Sequence, residues 1–234
     1  MEQRPIRPPV LHAEVMKPGE RIAALIYLPI HVFALPLLLP LIAPYLSITS
    51  SLAMNIIYYI IGFIYVFAIF LRYLRRNFDA VLDHPLNFLI SVFGAYAIEF
   101  ALSFLLVNLL SIFGLTLLSP NNEAVSGMAP QGYYKLFAIS VFLAPFVEEI
   151  LFRGLIFGAL VEKHKVLAWV VSVLAFSLYH VWQYAVTGGV LVLVTAVLYF
   201  PASIALNWSY RRSGTIWGPI AYHMLTNCIA MAVI

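Results

Sequence analysis

The sequence predicts an all-α protein, a polytopic membrane bundle of about seven transmembrane helices, and three observations carry that expectation. Hydrophobic residues fill 63% of the 234 positions, against roughly 45–50% in a soluble domain. Charged residues make up 10%, where about a quarter is usual. The mean hydropathy is +0.97, and the apolar character runs along nearly the whole chain, so the bilayer has to be the solvent. Cys228 is the single cysteine, which excludes a disulfide framework and a zinc-ribbon type site. The net charge of +3 is small and its basic residues fall between apolar runs, a pattern of membrane orientation and not of nucleic-acid binding.

A spanning helix needs about 20 mostly apolar residues, and seven segments qualify: 22–46, 51–72, 87–118, 133–161, 166–185, 187–208 and 215–234. They follow a proline-rich segment, 1–21, expected to be cytoplasmic, and divide into N-terminal helices 1–3 (22–132) and a C-terminal group of four (133–234). The apolar run after residue 21 is too long for the h-region of a signal peptide, so helix 1 is expected to remain. Its Pro29, Pro36, Pro40 and Pro44 should kink it or break it near its end. Helix 3, at about 32 residues, should be tilted or end in an interfacial turn.

Arg72, Arg75 and Arg76 follow helix 2, Lys163 and Lys165 follow helix 4, and Arg211 and Arg212 follow helix 6. The intervening loops, near 46–50, 119–132 and 183–189, contain no Lys or Arg. The positive-inside rule then puts the N-terminus in the cytoplasm and the C-terminus outside. The chain's small size points to the cytoplasmic (inner) membrane of a bacterial or archaeal cell.

Ionisable groups inside spans are costly, about 2.5–3.5 kcal/mol each at the bilayer centre, so Glu148, Glu149 and Arg153 on helix 4 demand an explanation. Glu149 and Arg153 are i,i+4 neighbours able to pair. Glu148 projects about 100° away. Taken alone, the trio fits a buried structural ion pair plus one protonated carboxyl as well as it fits a catalytic site. Helices 5 and 7 add His180, His223 and Asn227. Counted from the cytoplasmic ends, Glu148, His180 and Asn227 all lie roughly 20 Å deep and His223 about 14 Å. A carboxylate pair, an arginine, two histidines and an asparagine meeting in one layer is more than helix packing asks for.

These residues resemble a known family. Glu148-Glu149 with Arg153 is similar to the EExxxR motif of the CPBP intramembrane proteases, the group that contains the type II CAAX prenyl endopeptidases and bacteriocin-immunity relatives. Phe176 to His180 matches that family's FxxxH motif, and His223 with Asn227 its HxxxN motif, in order. The resemblance covers 133–234, a four-helix protease core, and none of it extends into 1–132. It implies a glutamic-type endopeptidase acting on a membrane-associated protein or peptide within the lipid bilayer, with no cofactor, no metal and no nucleic-acid partner. Glu148 is then the general base, His180 holds the attacking water, and His223 and Asn227 donate to the oxyanion. Arg153 balances the carboxylates, and Glu149 pairs with it, although the two glutamates are interchangeable at this level. The alternative of another class is a non-catalytic immunity or regulatory scaffold of the same fold.

Glu99 on helix 3 is expected to pair structurally or to line a cavity, and His31 to pack beside the prolines. Asp79, Asp83 and His84 are expected in a solvated cytoplasmic loop, and Cys228 to be a small apolar residue.

Overall fold

The computed structural model describes residues 13–234, which contain eight helices and no strand. Helix α1 spans Pro18–Leu46, α2 Ser51–Asp83 and α3 Pro85–Ile112. Helix α4 runs over 120–160, α5 over Lys165–Tyr179, α6 over Trp182–Gly188, α7 over Val190–Ser213 and α8 over Trp217–Met231. All seven apolar segments lie on these helices, the fifth divided between α5 and α6. Arg4 and Arg7, with most of the expected segment 1–21, lie outside the described residues.

Among the described residues, α1, α2, α3 and α7 are long and apolar enough to cross a membrane, and α5 with α6, bent by 49°, reach that length and apolarity only as a pair. The other two expected spans fall short for local reasons. Helix α4 carries Glu148, Glu149 and Arg153 inside its apolar stretch, and α8 has 15 residues. The apolar window of α3 is only 17% buried inside the protein, and Phe93, Phe100, Phe104 and Ile112 are exposed on it. An apolar surface of that extent is what a lipid-facing helix presents.

Several boundaries differ from the sequence expectation. Asp79 and Asp83 are not in a loop, because α2 continues unbroken to Asp83 and turns only at His84. Residues 120–132 are helical as well, started by Ser119, whose hydroxyl accepts from the Asn122 amide at 3.2 Å. Helix α3 stops at Ile112 and does not reach 118. The fifth segment is not one straight helix: it breaks after Tyr179, and Gly189 at φ +88°, a conformation glycine accepts readily, leads into the 3₁₀ turns that open α7. Helix α1 follows the proline expectation, loosening to a π-helical turn over Ile30–Ala34 and ending in a 3₁₀ turn over Ala43–Leu46.

Helices α3, α7 and α8 pack closely, while α4 lies between α2, α5 and α8. Close approach of α3 and α7 depends on Gly94, where an added Cβ would meet the Trp208 ring at 2.7 Å. A polar latch at one end ties the bundle together. The Asn77 side chain donates to the Glu14 carbonyl and accepts from the Ile216 amide, while the Thr215 hydroxyl donates to the Asn77 carbonyl at 2.6 Å. Nearby, Arg76 pairs with Glu20 at 2.7 Å, fixing α1 to α2.

Candidate active site

Helix α4 sets the site through its irregular turns. It is π-helical over Ile139–Leu143 and again over Ile150–Phe157, on either side of the α-helical Ala144–Glu149. A π turn shifts the register and leaves a carbonyl without its usual helical donor. Ser140, in the first of these turns, accepts the Asn227 side-chain amide of α8 at 2.8 Å. Arg153 sits in the second, wholly buried.

The two adjacent glutamates face different surroundings. Glu149 is fully buried, and its Oε1 accepts from Arg153 Nη1 at 3.2 Å and from His223 Nδ1 at 2.8 Å. Arg153 also donates to the Ser203 hydroxyl at 3.0 Å and lies over the Phe176 ring at 4.1 Å, so its charge is shared among a carboxylate, a hydroxyl and a π face. Glu148 lines a cavity instead. Its Oε1 accepts from Tyr59 at 2.8 Å, and its Oε2 faces His180 Nε2 and His223 Nε2, each at 3.8 Å.

The imidazole tautomers follow from the partners. His180 follows the last residue of α5, stacks on Tyr199 at 4.5 Å, and places Nδ1 2.9 Å from the Phe176 carbonyl. A carbonyl only accepts, so Nδ1 carries the proton and a neutral ring turns its Nε2 lone pair toward Glu148. His223 donates from Nδ1 to Glu149 by the same logic.

The cavity has a volume of about 770 Å³, within the usual range for ligand sites. Glu148, His180, His223 and Asn227 all line it, with apolar walls that include Leu39, Met54 and Met231. Glu149 and Arg153 stand behind that wall. All six expected site residues therefore come together, four at the cavity and two supporting them.

Other residues of this region carry no motif. Tyr59, with Tyr58 and Tyr179, forms a hydroxyl cluster beside Glu148. His31 is more than packing: buried completely, its Nε2 lies 2.9 Å from the Tyr58 hydroxyl. A tyrosine pair on an apolar helix gives no periodic signal, and the prolines around His31 disguise its role. Glu99 does line the cavity and accepts from the Tyr222 and Thr226 hydroxyls. Cys228 is exposed.

Fold and site together define a polytopic helical membrane protein with a carboxylate and histidine cluster enclosed by its bundle. Residues 130–229 match the family model described as type II CAAX prenyl endopeptidase Rce1-like. A stretch of 117 residues is 30% identical to the protein named "Putative membrane peptidase YdiL" of Bacillus subtilis (strain 168), covering 50% of this chain and 43% of that protein. The chain thus spans less than half the length of that relative. No solved structure gives a significant match. Residues 130–229 are thus similar to the CPBP/CAAX protease family.

Proposed function

We propose that the protein is an intramembrane endopeptidase of glutamic type, hydrolysing a peptide bond of a membrane-associated protein or peptide with a water activated by Glu148. The observation that carries this reading is the position of Glu148 Oε2, buried without a hydrogen-bond partner among the described residues and 3.8 Å from the Nε2 atoms of both His180 and His223. Such separations are too long for direct hydrogen bonds and suit a shared water. A water there donates one proton to Glu148 Oε2 and the other to His180 Nε2, leaving a lone pair for the substrate carbonyl carbon.

As the C–O bond forms, Glu148 takes the water proton and the carbonyl oxygen becomes an oxyanion. Asn227 uses one N–H on the Ser140 carbonyl, and its second N–H is the donor assigned to that oxyanion. His223, held between Glu149 and Glu148, joins it when doubly protonated, which also brings Glu148, Glu149, Arg153 and His223 to zero formal charge. Collapse breaks the C–N bond as Glu148 returns its proton to the leaving amine. In this reading 133–234 is the protease core, and 22–132 supplies helices that close the cavity.

Comparing protein termini in membranes of cells with and without the gene identifies the substrate. On that substrate, Glu148→Ala and His180→Ala should abolish product at normal abundance, and Asn227→Ala should lower kcat by roughly 10²–10³. Activity should survive prolonged chelator dialysis. Turnover by Glu148→Ala at the wild-type rate would remove Glu148 as the base, no turnover by the purified wild type would move the reading to a non-catalytic scaffold, and zinc-restored activity after chelation would replace the glutamic mechanism.

A further inference from the structure

From Glu148 a line of hydroxyls leads along the cavity wall toward the N-terminal helices. Tyr59 donates to Glu148 Oε1 at 2.8 Å, Tyr179 lies 3.4 Å from the Tyr59 hydroxyl, Tyr58 lies 3.0 Å from Tyr179, and His31 Nε2 lies 2.9 Å from Tyr58. His31 and its partner Tyr58 are buried. The hydroxyl of Tyr27 comes within 3.5 Å of His31 Nδ1. Three of these tyrosines and His31 lie in α1 and α2, before the segment that carries the family match.

Proton bookkeeping fixes the direction of the line. Each tyrosine has one proton to donate. With Glu148 as a carboxylate, Tyr59 must donate to it, so Tyr179 must donate to Tyr59, Tyr58 to Tyr179 and His31 Nε2–H to Tyr58. That is the one arrangement in which all four contacts are hydrogen bonds; the His31 carbonyl, 3.0 Å from the Tyr58 hydroxyl, competes with Tyr179 for the Tyr58 proton, and His31 Nε2 also lies 3.4 Å from the Tyr179 hydroxyl. It leaves His31 Nδ1 as an acceptor, which is what the Tyr27 hydroxyl meets. Chained donors polarise one another, so the last bond, to the carboxylate, gains from those behind it.

We propose that His31, Tyr58 and Tyr179 act through Tyr59 as a positioning relay for Glu148, by which the N-terminal helices hold its carboxyl oriented and ionised. The importance of the relay for catalysis rests on Glu148 being the base. The relay itself acts on the carboxyl whether or not the protein cleaves peptides. The other charged or titratable groups around Glu148 are Glu149 and Arg153 on α4, His180 after α5, Tyr199 on α7 and His223 on α8, with Glu99 of α3 across the cavity. All of them are unchanged in the variants below.

The test is an infrared pH titration of the purified protein in lipid nanodiscs, following the carboxyl stretch that disappears in Glu148→Gln. Losing a hydrogen bond to a charged group should raise the titration midpoint of Tyr59→Phe by about one to two pH units. Tyr58→Phe and His31→Leu should shift it less and in the same direction, and His31→Gln, which keeps a donor, should restore part of the difference. An unmoved midpoint in Tyr59→Phe overturns the proposal. So does a wild-type midpoint in both Tyr58→Phe and His31→Leu, since the line would then end at Tyr179 and the N-terminal histidine would play no part. Absence of any Glu148-dependent band between roughly pH 4 and 10 overturns it too. The readout needs no substrate, so an inactive protein with these shifts refutes the peptidase reading and leaves the relay standing.

Discussion

Arg153 heads the large side chains that the fold buries completely, and a guanidinium out of water is tolerated only when its charge is met. Glu149, Ser203 and the Phe176 ring meet it. Arg153→Met keeps much of the volume but strands Glu149, so it should cost about 3–5 kcal/mol, read as a lower unfolding temperature in detergent. Adding Glu149→Met removes the stranded charge and should recover part of the loss; a single variant as stable as the wild type would show that the ion pair does not anchor α4. The Glu149–Arg153 pair was legible because three charges in six positions of an apolar run are expensive anywhere but a shielded site. Tyr59 was illegible for the opposite reason. It is one of 14 tyrosines, and only the fold reveals that its hydroxyl reaches Glu148.

At the scale of elements, apolarity located every helix but not its ends. Residues 120–132 are polar and therefore resemble a loop, yet Ser119 caps them as helix, and the chain kinks at Gly132 before the helical stretch that enters the site. The break after Tyr179 was equally hidden, since the apolar run crosses it without a proline; it leaves His180 at the bend, with its ring anchored on the Phe176 carbonyl. Packing between elements is as specific as the site. At Gly94 a Cβ would press on the Trp208 ring at 2.7 Å, whereas at Gly127 nothing among the described residues lies within 4 Å. Gly94→Ala should therefore lose about 1–3 kcal/mol by overpacking, offset in part by helix propensity. Gly127→Ala should gain about 0.5–1 kcal/mol. Thermal unfolding of the two variants checks both signs, and a Gly94→Ala protein more stable than the wild type would mean that α3 and α7 do not need this approach.

At the scale of the molecule, the helices give the charge pattern a geometry. Taken as spans, α1 to α4 alternate in direction, α5 with α6 crosses once through its bend, and α7 and α8 complete the sequence. Arg72, Arg75 and Arg76 then share one end of the bundle with Lys163, Lys165, Arg211 and Arg212. The turns at 47–50 and 113–119, at the opposite end, carry no basic residue. Crossing costs fix which end stays inside, because each arginine or lysine moved to the far side must be translocated past the hydrocarbon core. The expected orientation puts the basic end and the N-terminus in the cytoplasm. Thr49, Thr116 and His164 are exposed in three of the turns, so each takes a cysteine in a Cys228→Ser background, which removes the exposed native thiol. In intact cells a membrane-impermeant maleimide should label Thr49→Cys and Thr116→Cys and should reach His164→Cys only after permeabilisation. Labelling of the third alone would invert the orientation. Labelling of only one of the first two would mean that the helices between 49 and 116 do not form a pair of spans.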